Sequence, residues 1–248
     1  MKLDFATTSL LANMMLNEAP PLHTLSAEEM RLVFSEIYRS MPPGPESVSS
    51  KDITIGVEGG EIRGRVLTPK GAAQSVMVYY HGGGWVIGNI DDYDLVGRHL
   101  AEKCNAIVVM VDYRKSPEHK FPVPMQDCYA ALNWVEANRK KIGADKLPLI
   151  VAGDSAGGNL ATVMAQKTAA ENGPKIDLQV LVYPVIDGRM ETASFTAEDN
   201  QLFLNAELMT HFWGQYCDPA ERLNADVSPI LADDVSQIAP AIILTPEF

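Results

Sequence analysis

The pattern of apolar and polar positions divides the chain into an amphipathic start followed by a series of buried-looking runs. Residues 1–40 read as helical. Ser26-Ala-Glu-Glu29 has the form of a capping box, and Met30, Val33, Phe34 and Ile37 then recur on one helix face. Met41-Pro-Pro-Gly-Pro45 ends that helix and reads as a linker. Two alternating segments follow, 52–57 and 61–67, joined through Glu58-Gly-Gly60, which predicts a hairpin. Beyond it, the stretches 75–80, 106–111, 148–151, 178–183 and 241–245 are nearly continuous in apolar residues, and helical stretches around 94–103, 124–141, 156–171 and 205–217 lie between them. Strands this apolar need cover on both faces. Their alternation with helices predicts an α/β fold built on a mainly parallel sheet. Residues 1–45 are expected to form an N-terminal helical cap or arm, and 46–248 one catalytic-type domain. The terminal helix is left open between core, dimer surface and lid over a pocket.

Composition narrows the partners. The 248 residues carry a formal net charge of −12, which argues against a nucleic-acid backbone as ligand and fits a soluble surface. The three cysteines, Cys104, Cys128 and Cys217, are widely spaced, so free thiols are expected, and no His/Cys cluster has zinc-ligand spacing. The N-terminus has no unbroken apolar core or cleavage site of a secretory signal, and no apolar run is long enough to span a bilayer. A cytoplasmic protein is the expectation.

The chemistry concentrates in three stretches. The first is Val151-Ala-Gly-Asp-Ser-Ala-Gly-Gly-Asn159, between an apolar run and a helical one. In that setting Gly-x-Ser-x-Gly forms a nucleophile elbow: the glycines at 153 and 157 let strand and helix nearly touch, and Ser155 is pushed into an exposed, strained position at a helix N-terminus. The competing reading is a glycine-rich turn with an ordinary serine. The second stretch is His81-Gly-Gly-Gly-Trp85, which follows a buried strand. Its unshielded amides suit an oxyanion hole, assigned to Gly82 and Gly83 together with Ala156. His81, Gly84 and Asp154 are read as support for this loop. The third is 112–127, where prolines at 117, 122 and 124 fix the path. Arg114, Glu118, His119 and Asp127 are expected to hold it in a common network. Trp85 and Phe203 are expected in the core rather than on a pocket wall.

Together these stretches resemble the hormone-sensitive-lipase family of bacterial esterases, within the α/β-hydrolase fold. The resemblance rests on His81-Gly-Gly-Gly84, on Asp112-Tyr-Arg114 with Pro117-Glu-His119 and Phe121-Pro122, and on Gly153-Asp-Ser-Ala-Gly-Gly158. Weaker matches are Tyr183-Pro184, Ser228-Pro-Ile230 and 240–245. It implies hydrolysis of short or medium acyl esters through an acyl-enzyme on Ser155, with no cofactor and no metal. It also implies a cap made from the N-terminal helices and a segment around 186–218. A non-catalytic small-molecule binder on the same fold, like the gibberellin receptors, is the alternative, and amide hydrolysis is a variant of the enzyme reading.

The resemblance also implies a triad acid after the strand at 241–245 and a histidine a few dozen residues later. The chain stops at Phe248, and the one histidine after Ser155 is His211. The expectation is therefore a chain truncated in its gene or by cleavage, without the last strand and C-terminal helices. A natural short variant with His211 or His81 as substitute base is the competing explanation. Without triad acid and base, feeble turnover is expected: protease triad knockouts keep only ~10³–10⁴-fold over water. An apolar edge strand at 241–245 is expected to recruit a second copy, giving a dimer or larger assembly.

Overall fold

The structure is a computed structural model; it describes residues 20–198 and 201–246, with isolated positions 4, 5, 7–9 and 12. Most of the helix expected over the first 20 residues lies outside the described residues. The rest of that region is as predicted at its start signal. Helix α1, Ala27–Arg39, opens on the Ser26/Glu29 capping box. The Glu29 amide donates to Ser26 Oγ at 3.2 Å, and the Ser26 amide donates to the Glu29 carboxylate at 2.8 Å. Such a cap contributes about 1 kcal/mol.

Strands β1 (Ser49–Val57) and β2 (Gly60–Thr68) form the predicted hairpin. Then come β3 (Ser75–Tyr80), α2 (Asp94–Cys104), β4 (Ala106–Val111), α3 (Val123–Asn138), β5 (Leu149–Asp154) and α4 (Ala156–Glu171). Strand β6 (Leu178–Val182), the short α5 (Ala193–Thr196), α6 (Ala206–Tyr216) and β7 (Ala241–Leu244) follow, with short 3-10 turns at Leu22–Thr24, Pro219–Leu223 and Pro229–Leu231. The sheet order is β1-β2-β4-β3-β5-β6-β7. The β1–β2 and β2–β4 pairs are antiparallel, and every later pair is parallel. Strand β5 runs past the apolar stretch that announced it, because Gly153 and Asp154 continue the ladder against Leu181 and Val182 with their backbones.

Alternation along β3 explains the two core layers. Val76, Val78 and Tyr80 face a cluster shared with Leu132 of α3 and Leu160 and Met164 of α4. Met77 and Tyr79 face the opposite side, with Ala101 of α2 and Met110 of β4. The helix after β3 and the helix after β5 therefore cover opposite faces. The adjacent carboxyl ends of the two strands form a topological switch point, where α/β sheets open a crevice. Their register pairs Tyr80 with Gly153, which sets the loop at 81–84 beside the turn at 154–157. A third cluster roofs this point: Ala27 and Met30 of α1 pack with Val86, Ile87, and Leu208 and Phe212 of α6. At the far edge of the described sheet, Ile242, Ile243 and Leu244 of β7 are all exposed.

Candidate active site

Ser155 sits between β5 and α4 with φ 51° and ψ −118°, a conformation that L-residues avoid. The strain is held in place by the backbone. The Ser155 amide donates to Val182 O at 2.9 Å, and its carbonyl accepts from Asn159 and Val185 at 3.0 and 3.2 Å. Two glycines make the turn possible: a Cβ on Gly153 would strike the Gly157 carbonyl, and one on Gly157 would strike the Tyr80 carbonyl. Asn159, fully buried, ties the elbow down by donating from Nδ2 to Val185 O and Val227 O at 2.7 and 2.8 Å. Among the described residues the Ser155 hydroxyl makes no hydrogen bond, and it borders two adjoining cavities.

The glycine loop lies against the elbow. The Gly82 amide donates to Asp154 Oδ1 at 2.9 Å. The same carboxylate accepts from the hydroxyls of Tyr79 and Tyr93 at 2.7 and 3.1 Å. Burial pushes the Asp154 carboxyl above its ordinary range against these three donors. Gly83 takes φ 109°, and its carbonyl accepts from the amides of Val86 and Ile87. Gly84 takes φ 57° and lies flat against the Phe212 ring. The amides of Gly83, Gly84 and Ala156 make no hydrogen bond among the described residues, and that of Ala156 opens α4, where the helix dipole favours negative charge.

The smaller cavity, about 270 Å³, is walled by Gly83, Gly84, Ile87, Leu208 and Phe212. The larger, about 670 Å³, is walled by Ile37, Met41, Phe195 and Leu202. Phe34, Tyr38, Tyr183 and Phe203 border both. None of the described lining residues carries a charged side chain.

A sequence profile of the α/β hydrolase fold matches residues 77–248. The chain belongs to the α/β-hydrolase fold family. It is 33% identical to an ethyl acetate hydrolase of Pseudomonas putida over 92% of this chain and 74% of that one. It is 39% identical to carboxylesterase NlhH of Mycobacterium tuberculosis over 78% of this chain and 63% of that one. A hyperthermophilic esterase from the archaeon Pyrobaculum calidifontis superposes with a TM-score of 0.89 at 36% identity, over 100% of this chain and 80% of that one. The expected fold is met, and these relatives are ester hydrolases, the enzyme class to which the residues pointed.

Within this α/β hydrolase, several expected placements need correction. Gly82 was assigned an oxyanion amide, but its N–H is committed to Asp154 and Gly82 borders neither cavity. The unengaged amide beside Gly83 is that of Gly84, expected only as loop support. Glu118 does not join the Arg114 network. Arg114 pairs with the buried Asp127 through Nε and Nη2, at 2.9 and 2.6 Å, while Glu118 takes a bidentate pair from Arg31 of α1, at 2.7 Å to each oxygen. Phe203 is 39% exposed and forms cavity wall rather than core. Trp85 is fully buried, stacked on Tyr216 with centroids 4.2 Å apart.

Neither substitute base reaches the serine. His81 lies beneath the loop, stacked on Tyr113 at 4.4 Å. Its Nδ1 meets the Gly82 carbonyl at 2.7 Å, and a carbonyl only accepts, so Nδ1 carries the proton. Burial, with Lys115 nearby, pushes its pKa down to about 4. His211 is on α6 beside Gln215, its pKa lowered by partial burial and by His23. Neither ring borders the cavities that Ser155 borders. Among the described residues no cluster of three His, Cys, Asp or Glu side chains is placed to hold a metal ion, and no helix is long and apolar enough to cross a membrane.

Proposed function

We propose that this chain carries the nucleophile and the oxyanion hole of a carboxylic ester hydrolase of the hormone-sensitive-lipase type, with Ser155 as nucleophile. The observation that carries the reading is the strained Ser155, exposed to two apolar cavities and flanked by three unengaged amides. The Ser155 oxygen attacks the ester carbonyl carbon, and the carbonyl oxygen takes up negative charge against the amides of Gly83, Gly84 and Ala156. The C–O bond to the alcohol breaks and the alcohol leaves carrying the proton that the Ser155 hydroxyl gives up; water then adds to the acyl carbon, the acid departs, and one proton of the water returns to the serine oxygen. No residue of the described cavity walls is assigned the base that accepts the serine proton. Uncharged walls select neutral esters, since a charged group would lose its hydration without a partner. The smaller cavity, lined by Gly83 and Gly84, suits the acyl group, which stays bound through the intermediate. The larger suits the alcohol, which must leave first. Helix α1 and the segment around 186–218 act as the cap, and this favours short to medium acyl chains.

The test is hydrolysis of a panel of short-chain aryl esters and matching aryl amides by the wild type and Ser155→Ala. Ester turnover that exceeds amide turnover and disappears in the variant is the expected result. Turnover that survives Ser155→Ala would exclude the serine. Tight ester binding with no turnover in either protein would favour the non-catalytic binder.

A further inference from the structure

We infer that Arg31 is a positioning residue that locks the cap helix α1 onto the oxyanion loop. The inference rests on the reading of Gly83 and Gly84 as oxyanion donors. Arg31 spreads its guanidinium over three acceptors that are distant from it in sequence. Nε donates to Val86 O at 2.8 Å, Nη2 donates to Ser116 O at 2.8 Å, and Nη1 and Nη2 grip the Glu118 carboxylate. Val86 is the residue whose amide holds the Gly83 carbonyl, at 3.0 Å. The chain of contacts thus runs from α1 through Arg31 and Val86 to the peptide joining Gly83 and Gly84. The Trp85 carbonyl accepts from the Ser116 amide at 2.9 Å, so the same guanidinium also braces the strap on which the loop leans.

The helix that Arg31 fixes is the one that presents Phe34 and Tyr38 to both cavities. One side chain therefore sets two features of the site: the aim of the loop amides and the place of the cap wall. The ion pair alone does not account for this. The Glu118 side chain is 55% exposed, and pairs in that setting contribute little. The two bonds to backbone carbonyls carry the coupling, and they need the planar fork of arginine rather than a point charge. A second anchor on α1 serves as an internal control. The Ser35 hydroxyl donates to Asp92 at 3.1 Å and makes no hydrogen bond to Val86 or Ser116.

The experiment compares Arg31→Ala, Arg31→Lys, Glu118→Gln and Ser35→Ala by amide hydrogen exchange over residues 81–90, together with kcat and KM for an aryl acetate. Arg31→Ala and Arg31→Lys are expected to speed exchange at Val86 and Ile87 and to lower kcat on the order of 10- to 100-fold, the range expected when a distant change misplaces reacting groups. Glu118→Gln is expected to stay within about 3-fold of wild type, as an exposed pair allows. Ser35→Ala is expected to loosen α1 and raise KM for the aryl acetate while the Val86 and Ile87 amides stay protected. Unchanged protection at 83–87 in folded Arg31→Ala overturns the inference, as does a Glu118→Gln variant as impaired as Arg31→Ala. If the wild type shows the exchange coupling but no turnover, the coupling stands and the ester-hydrolase reading falls.

Discussion

At Ser155 the local chemistry follows from one forced backbone angle, and the glycines around it are there for contact as much as for conformation. Gly84 needs both: its φ is 57°, and a Cβ would enter the Phe212 ring. Gly84→Ala keeps the amide but is expected to turn it away from the oxyanion, lowering kcat/KM by about 100-fold, as for a displaced oxyanion donor. Far-UV circular dichroism that remains native alongside the kinetic loss would check that the effect is local. The sequence showed three equivalent glycines, and only the structure tells them apart. Gly82 is the one whose amide turns inward, because Asp154, one residue before the serine, brings a buried carboxylate that needs donors. An acidic residue inside Gly-x-Ser-x-Gly was the available signal that the Gly82 amide would turn inward.

His81 adds a pH dependence of its own. Its folded-state pKa, about 4, lies below the ordinary imidazole value of about 6.5, so the unfolded chain takes up the proton first. The stability this confers is complete above about pH 6.5 and is lost as pH falls toward 4, to a limit on the order of 3 kcal/mol. Asp154, whose carboxyl is raised by burial, works in the opposite sense over the acid range. The readout is therefore a difference. Urea unfolding of wild type and His81→Phe at pH 7 and pH 4.5 should show the variant losing less stability between the two.

At the level of elements, the close approach of α4 to the end of β3 and the seating of α1 decide the site. The Gly157 position lies so close to the Tyr80 carbonyl that any side chain would part β3 from α4. Gly157→Ala is expected to cost about 3 kcal/mol of stability, the upper range for overpacking, seen as a shift in the urea midpoint with unchanged slope. That closeness was legible in the sequence, since a glycine two residues after the serine has a backbone reason. The seat of α1 was not. Periodicity marked Met30, Val33, Phe34 and Ile37 as one face, and the structure divides them. Met30 is fully buried beside Val86 and Phe212, Phe34 and Ile37 border the cavities, and Val33 is 39% exposed. An amphipathic pattern says that a helix packs, while its partners here are set by Arg31 and the carbonyls of Val86 and Ser116, 55 and 85 residues away. No local rule links residues at that separation.

For the whole molecule, apolar runs separated by helices gave the α/β order and most element bounds, because each strand of a parallel sheet must be covered twice. The pairing of β2 with β4 rather than with β3, and the opposite faces taken by α2 and α4, are long-range choices. They create the switch point that brings residues 81–84 to residues 154–157. The site is thus a product of topology acting on two short motifs, and Phe203, expected in the core, lines both cavities instead.

The claim on which the rest depends is that this topology makes Ser155 a nucleophile. The direct measurement is peptide-mapped mass spectrometry after incubation with an aryl alkylphosphonate, whose tetrahedral adduct places an oxygen against the same amides. A single covalent adduct at Ser155, formed more slowly in Gly84→Ala and absent in Ser155→Ala, is the expected result. An unmodified Ser155, or an adduct on another residue, would contradict it.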